Sequence, residues 1–200
     1  MPRTAQQNQQ LKEERRDALM AAARQVFARK GLAASKMTDL AKAAGISYGL
    51  VYHYFPDKEA VFAALVEESV QQGIQLVARA RELPGTAWEQ LQWLSAQILD
   101  GVQREPSFPL ILVQAHASES VPTSVEQSLT RYTSHFFQQL VALIEAGQAA
   151  GQVVRTPAAE LAWVWLATIQ GLALMHIVPQ PEAQPQPQPS PATLMRLFAP

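Results

Sequence analysis

Apolar residues recur every three to four positions along most of this 200-residue chain, and the breaks in that recurrence divide it into helices. Leu19, Ala22, Ala23, Val26 and Phe27 form one such stripe and predict a helix from about Leu11 to Lys30, stopped by Gly31. Val61, Phe62, Leu65, Val66, Val70, Ile74 and Val77 predict a long helix over Asp57 to Arg81. The break Leu83-Pro84-Gly85-Thr86 follows, and then Trp88, Leu91, Leu94, Ile98 and Val102 mark a helix that reaches Arg104, with Trp93 off the stripe. Pro106 and Pro109 frame a short helix over Phe108 to Ser118, and Val121-Pro122 ends it. Leu129, Tyr132, Phe136, Leu140, Leu143 and Ile144 then mark a helix from Thr123 to Ala150, closed by Gly151. The fold class is all-α.

The next segment lacks a stripe because it is apolar all round. Leu161 to Val178 holds no charged residue, which predicts a helix over Pro157 to Val178 that must be covered on every side. A membrane span fits poorly, because the run sits at the short limit of length and contains Thr168, Gln170 and His176. A second copy of the chain is the better cover for one face. Pro179 to Pro191 is a Pro/Gln connector that cannot form helix, and Ala192 to Phe198 reads as a short closing helix beside the apolar one. The expected dimer face is Trp165, Leu166, Ile169, Gln170 and Leu172, with Leu194, Leu197 and Phe198.

The stretch from Lys36 to Lys58 reads as two short helices joined by a tight turn. Thr38 is positioned to N-cap the first, and Gly45 suits the left-handed conformation that stops a helix abruptly. Ile46 plugs the turn, Ser47 N-caps a second helix over Tyr48 to Phe55, and Pro56 ends it. Asp57 caps the long helix after that. Leu40, Ile46, Val51 and Phe55 supply a small core, leaving Tyr48, Gly49, Tyr52 and His53 on other faces. This is a helix-turn-helix, whose second helix is shaped to enter a DNA major groove. Exposed tyrosine hydroxyls suit phosphate oxygens, Gly49 permits close backbone approach to a base edge, and Lys58 adds charge at a helix N-terminus.

The pattern Thr38-Asp-Leu-Ala-Lys-Ala-Ala-Gly45-Ile-Ser47-Tyr-Gly49-Leu-Val-Tyr52-His-Tyr54-Phe55-Pro-Asp-Lys58 resembles the TetR family of bacterial transcriptional regulators. The resemblance covers about the first quarter of the chain; beyond it, only length and helical pattern agree. It implies that Thr38, Tyr52, Tyr54 and Lys58 grip phosphates while Tyr48, Gly49, Leu50 and His53 face the bases. Leu50 departs from the small polar residue usual in the family, and an apolar contact with a thymine methyl would replace a hydrogen bond there. The resemblance further implies a homodimer whose long fourth helix links a DNA-reading head to a ligand-binding body.

Charge supports the same division. Residues 1–60 carry ten Lys and Arg against six Asp and Glu, net +4, and residues 61–200 carry net −5, for −1 overall. The expected domains are thus a basic head over 1–56, with 1–10 disordered, and an acidic helical body over 57–200. Arg3 is placed to reach a minor groove. The absence of Cys rules out disulfides and thiolate metal sites. The polar, Gln-rich start shows no signal peptide, so a cytoplasmic protein is expected.

In the body, Trp93, Phe108, Gln114, His116, Tyr132, His135, Phe136 and Trp163 are candidates to line a cavity for a neutral or weakly polar effector. His116 and Glu119 lie one helical turn apart, but a pair without a third ligand makes no metal site. No nucleophile elbow, zinc-protease or phosphate-cradling motif is present, so no enzyme, cofactor or metal is expected. The expected function is a homodimeric repressor of a palindromic operator, released by a small ligand. The rivals are an architectural DNA-binding module without a ligand and an enzyme using the body cavity.

Overall fold

The computed structural model describes residues 5–118, 121–177 and 189–200. Among these the chain forms α1 (Ala5–Ala34), α2 (Met37–Ala44), α3 (Tyr48–Tyr54), α4 (Lys58–Glu82), α5 (Ala87–Arg104), α6 (Ser107–Ala117), α7 (Thr123–Ala149), α8 (Ala158–Ile177) and α9 (Pro191–Met195). Arg3 and most of the Pro/Gln connector lie outside the described residues, as does Glu119.

The head is built as the sequence predicts, apart from a last helical stretch to Ala34 beyond the break at Gly31 (φ 75, ψ 166) and two further differences. α1 begins at Ala5 rather than Leu11, so residues 5–10, expected to be disordered, are helical. Gln9 and Gln10 donate to Glu13 and Glu14 one turn on, at 2.7 and 3.1 Å, which supports an exposed polar helix without a buried stripe. The second difference is the start of α2. Lys36, not Thr38, is the N-cap residue, and its backbone N–H donates to Asp39 Oδ2 at 3.1 Å. Asp39 sits at the third helical position, where a carboxylate reaches back to the cap. Thr38 is therefore inside the first turn, with its side chain exposed. Lys30 Nζ also meets Asp39 Oδ1 at 2.9 Å, and this hydrogen bond, with the Lys36 N–H, holds the Asp39 carboxyl below its ordinary 3.8.

The remaining caps follow expectation. Gly45 takes φ 64, ψ 28 and ends α2. Ser47 Oγ accepts from Leu50 N at 3.3 Å, and Asp57 Oδ1 accepts from Ala60 N at 2.7 Å. Leu40 and Val51 are sealed in the core with Phe27 and Phe62, whose rings meet edge-to-face at 5.3 Å. This core runs on past the head. It takes in the first half of α4 and reaches Ile111 and Ala115 of α6 and Leu129 of α7.

A second core fills the body between α5, α7, α8 and α9, around Leu91, Leu94, Leu140, Ile144, Trp165 and Phe198. Trp165 Nε1 donates to Ser95 Oγ at 3.0 Å, and the Ser95 hydroxyl faces Met195 Sδ at 3.5 Å. That chain ties α8, α5 and α9 together. It also corrects the expected dimer face: Trp165, Ile169, Leu194 and Phe198 all lie inside the subunit. Leu166 and Leu172 are half-buried against the same core, and only Gln170 and Leu197 of the expected set are exposed. The apolar side that α8 leaves open is instead Trp163, Val164, Leu174 and Met175, with Trp163 63 % exposed.

Head and body meet where α1 packs on α6. The Arg24 guanidinium is 6 % exposed, pairs with Glu68 of α4 at 2.6 Å, and lies 3.7 Å from the centroid of the Phe108 ring on α6. Gln114 Nε2 donates to the Ala28 carbonyl at 3.1 Å, and Gln25 Nε2 donates to Glu105 Oε1 at 2.8 Å. Any movement of α4 or α6 relative to the head must therefore disturb a buried cation, which is costly to strand without partners.

Candidate functional site

Only Val51 of the seven residues of α3 is fully buried. That one anchor, with Phe55 behind it, fixes the rotation of the helix. Tyr48, Gly49, Tyr52 and His53 are consequently exposed, and Leu50 and Tyr54 are half-buried. Tyr48 and Tyr52, four residues apart, are 50 % and 44 % exposed, a large apolar area to leave in water. Their rings meet edge-to-face at 4.9 Å and their hydroxyls lie 3.0 Å apart. The hydrogen bond to Tyr48 raises the Tyr52 pKa above its ordinary value. The pair is a preassembled unit: whichever hydroxyl donates to the other, one O–H remains to donate outward. The His53 and Tyr54 rings meet edge-to-face, 5.5 Å between centroids.

The anion seat at the start of α4 is built differently from expectation. Lys58 Nζ donates to the carbonyls of Leu32, Ala33 and Ser35 at 2.9, 3.1 and 3.0 Å. All three ammonium protons are thus engaged by the segment that ends α1 and leads to α2. The sequence signal for this role is slight, because carbonyl acceptors leave no mark in side-chain pattern. The charge still sits beside the N-terminal end of α4, but a phosphate has to share or replace a carbonyl to reach it. Arg16, which sequence reasoning did not single out, lies over the Phe55 ring at 5.5 Å from its centroid and so adds a cation at the edge of the same surface.

The body holds an open cleft of about 450 Å³ between α4 and α7, lined by Ile74, Val77, Ala78, Arg81, Glu82, Tyr132, His135, Phe136 and Gln139. Of the eight candidate lining residues it gathers Tyr132, His135 and Phe136. The other five have different surroundings. Phe108 is held under Arg24, and Gln114 is bonded to α1. His116 Nδ1 lies 2.8 Å from the Leu112 carbonyl, and its Nε2 lies 3.3 Å from Thr133 Oγ1. Trp93 packs against the body core, and Trp163 stacks on Phe137 at the outer surface, 5.1 Å between centroids. Residues 74, 77, 78, 81 and 82, which line the α4 side, all lie on one helix and are invisible as a set until α7 is placed against it.

Residues 19–65 match the model for bacterial regulatory proteins of the tetR family, a span running from the buried face of α1 through the helix-turn-helix into α4. That match gives the head and the start of α4 the pattern of the TetR family. Among TetR-type relatives, the transcriptional repressor NicS of Pseudomonas putida is 28 % identical over 136 residues, covering 68 % of this chain and 64 % of NicS. The regulator EthR of Mycobacterium tuberculosis is 28 % identical over 151 residues, covering 75 % of this chain and 69 % of EthR. The fold extends further than the sequence likeness. The structure of AibR in complex with isovaleryl coenzyme A and operator DNA superposes with a TM-score of 0.72 at 14 % identity, over 93 % of this chain and 99 % of AibR. The fold, head and helical body together, is therefore shared over nearly the whole chain.

Proposed function

We propose that this TetR-family chain is a homodimeric, sequence-specific DNA-binding repressor whose grip on its operator is weakened by a small molecule bound in the body. The observation that carries the reading is the exposed Tyr48–Tyr52 pair on α3, a helix anchored through Val51 so that its polar aromatic face points away from the core. NicS and EthR are named as a repressor and a regulator, and AibR was captured with both an acyl thioester and DNA; these support the class of function. In this reading Tyr48, Gly49, Leu50 and His53 meet base edges, and Thr38, Ser47, Tyr52, Tyr54 and Lys58 serve the phosphates. The +4 of residues 1–60 is modest, so two heads act together and affinity falls with salt.

The partner for the exposed side of α8 is a second copy of this chain. α8 is long and apolar enough by composition to cross a membrane, but its other side is built into the soluble core through the Trp165–Ser95 bond. A two-fold pairing would cover Trp163, Val164, Leu174 and Met175 of both subunits at once. Effector and DNA would then bind different spacings of the two heads, each weakening the other by the same factor.

Two substitutions separate the roles on the DNA surface. Lys58→Ala is expected to weaken binding to specific and random duplexes alike and to flatten the salt dependence by about one ion. It should also lower stability by about 1–3 kcal/mol, because three carbonyls lose a charged donor. Tyr48→Ala is expected to alter sequence preference more than general affinity. Anisotropy titrations at several salt concentrations, beside urea melts, read both. Equal losses on specific and random DNA for the two variants would defeat the assignment.

A further inference from the structure

Tyr132 is the residue where the cleft, the lever helix and both cores converge. Its ring packs against the head core and the body core alike. Its hydroxyl sits in a notch on α4 that only glycine leaves open: a Cβ on Gly73 would stand 1.8 Å from Tyr132 Oη and 2.7 Å from Cζ. Burial pushes the phenol pKa above the ordinary tyrosine range, so it remains a proton donor. Among the described residues the Tyr132 hydroxyl makes no hydrogen bond. Nor is it one of the sealed, unpaired polar atoms, which are Arg24 Nε, Gln114 Oε1 and Gln152 Oε1. A donor in that position lacks a partner and is not completely sealed, on a residue whose side chain lines the cleft.

The surroundings define what that molecule is. Ile74, Val77 and Phe136 make apolar walls, and the rest of the lining carries one charge of each sign, the exposed Arg81 and Glu82, with the neutral polar side chain of Gln139 and the imidazole of His135. An anion would gain from Arg81 and lose to Glu82, and its charge would be desolvated against the walls. We infer that the cleft takes a neutral, largely apolar molecule that presents one carbonyl or ether oxygen to Tyr132 Oη, and that Tyr132 reports its presence to α4 through the Gly73 notch. This rests on the reading of the body as an effector domain and names the chemical class of that effector. A ligand oxygen satisfies the phenol from the cleft side, and the ring that moves to meet it changes the contact at Gly73. Because α4 carries Lys58 and the head at its other end, a shift at Gly73 is a shift of the reading surface.

The test uses three probes of matched shape on the full chain without DNA, followed by ligand-observed NMR: 4-phenyl-2-butanone, n-butylbenzene and 4-phenylbutanoate. The ketone is expected to bind about tenfold more tightly than either of the others, the effect of one hydrogen bond. Tyr132→Phe keeps the ring and removes the donor; it should erase the advantage of the ketone over butylbenzene and leave butylbenzene binding unchanged. Gly73→Ala should drive the phenol into the cleft and weaken both. Binding of the carboxylate as tight as that of the ketone, an unchanged ketone affinity in Tyr132→Phe, or binding by none of the three would overturn the inference. Release of duplex DNA by the ketone is measured separately. Binding in the cleft without release counts against the repressor mechanism and leaves the ligand class standing.

Discussion

Leu174→Glu is expected to leave the chain monomeric and to lower its affinity for an operator by about 10²- to 10⁴-fold, the range by which two linked binding modules outperform one. One side of α8 is closed by the body core, and the other leaves Trp163, Val164, Leu174 and Met175 between 43 and 63 % exposed. Leu174 follows Trp163, and Met175 follows Val164, by eleven positions, about three helical turns, so the four share one side of α8 and a two-fold pairing would bring the same side of both copies together. A glutamate at 174 would place two like charges in an apolar seam, where neither has a partner and desolvation is costly. The subunit fold should survive, because Leu174 makes no part of the buried core. Sedimentation of the variant reads the first half of the expectation and an anisotropy titration the second. A variant that remains a dimer would place the contact between subunits elsewhere on the surface.

Trp165→Ala should do the opposite: destabilise the subunit by about 3–5 kcal/mol without selectively affecting pairing. Trp165 is 1 % exposed, packs 6.2 Å from the Phe136 centroid, and donates to Ser95. Removing it opens a cavity at the meeting of α5, α7 and α8 and takes the donor from a buried hydroxyl. Urea denaturation measures the loss. A cost below about 1 kcal/mol would mean that the neighbourhood collapses freely, and that Trp165 is available for a contact outside the subunit after all.

These two residues show why part of the fold could be read from sequence and part could not. A helix with one apolar stripe announces its rotation, so the buried faces of α4, α5 and α7 follow from periodicity alone. α8 is apolar all round, and its sequence is compatible with any rotation. Trp165 and Trp163 are two positions apart and differ only in what the rest of the chain happens to cover. The beginning of α1 was hidden for the converse reason. Residues 6, 7, 9 and 10 are exposed, and the glutamine–glutamate pairs that support the turn are weak signals. Around α3 the legible features were local ones, a glycine for a left-handed turn and Ser and Asp at caps, because those depend on backbone geometry within a few residues. Asp39 displaced Thr38 from the capping role because a carboxylate already near Lys30 also reaches the Lys36 N–H. Lys58 shows the limit of reading charge as availability, since backbone carbonyls compete for it and have no signature in the sequence. In the body, aromatic composition suggested a cavity, but a list of aromatic residues does not say which helix each will face. Tyr132, His135 and Phe136 share one side of α7 opposite α4, and the others do not.

The central claim is that two copies of α3, carried by one dimer, read successive major grooves. Hydroxyl-radical footprinting on DNA flanking the coding region tests it most directly. The account predicts two protected tracts related by a two-fold axis, with centres about 34–36 Å apart along the duplex, both lost in Leu174→Glu. A single tract, or no protection at low salt, would contradict it.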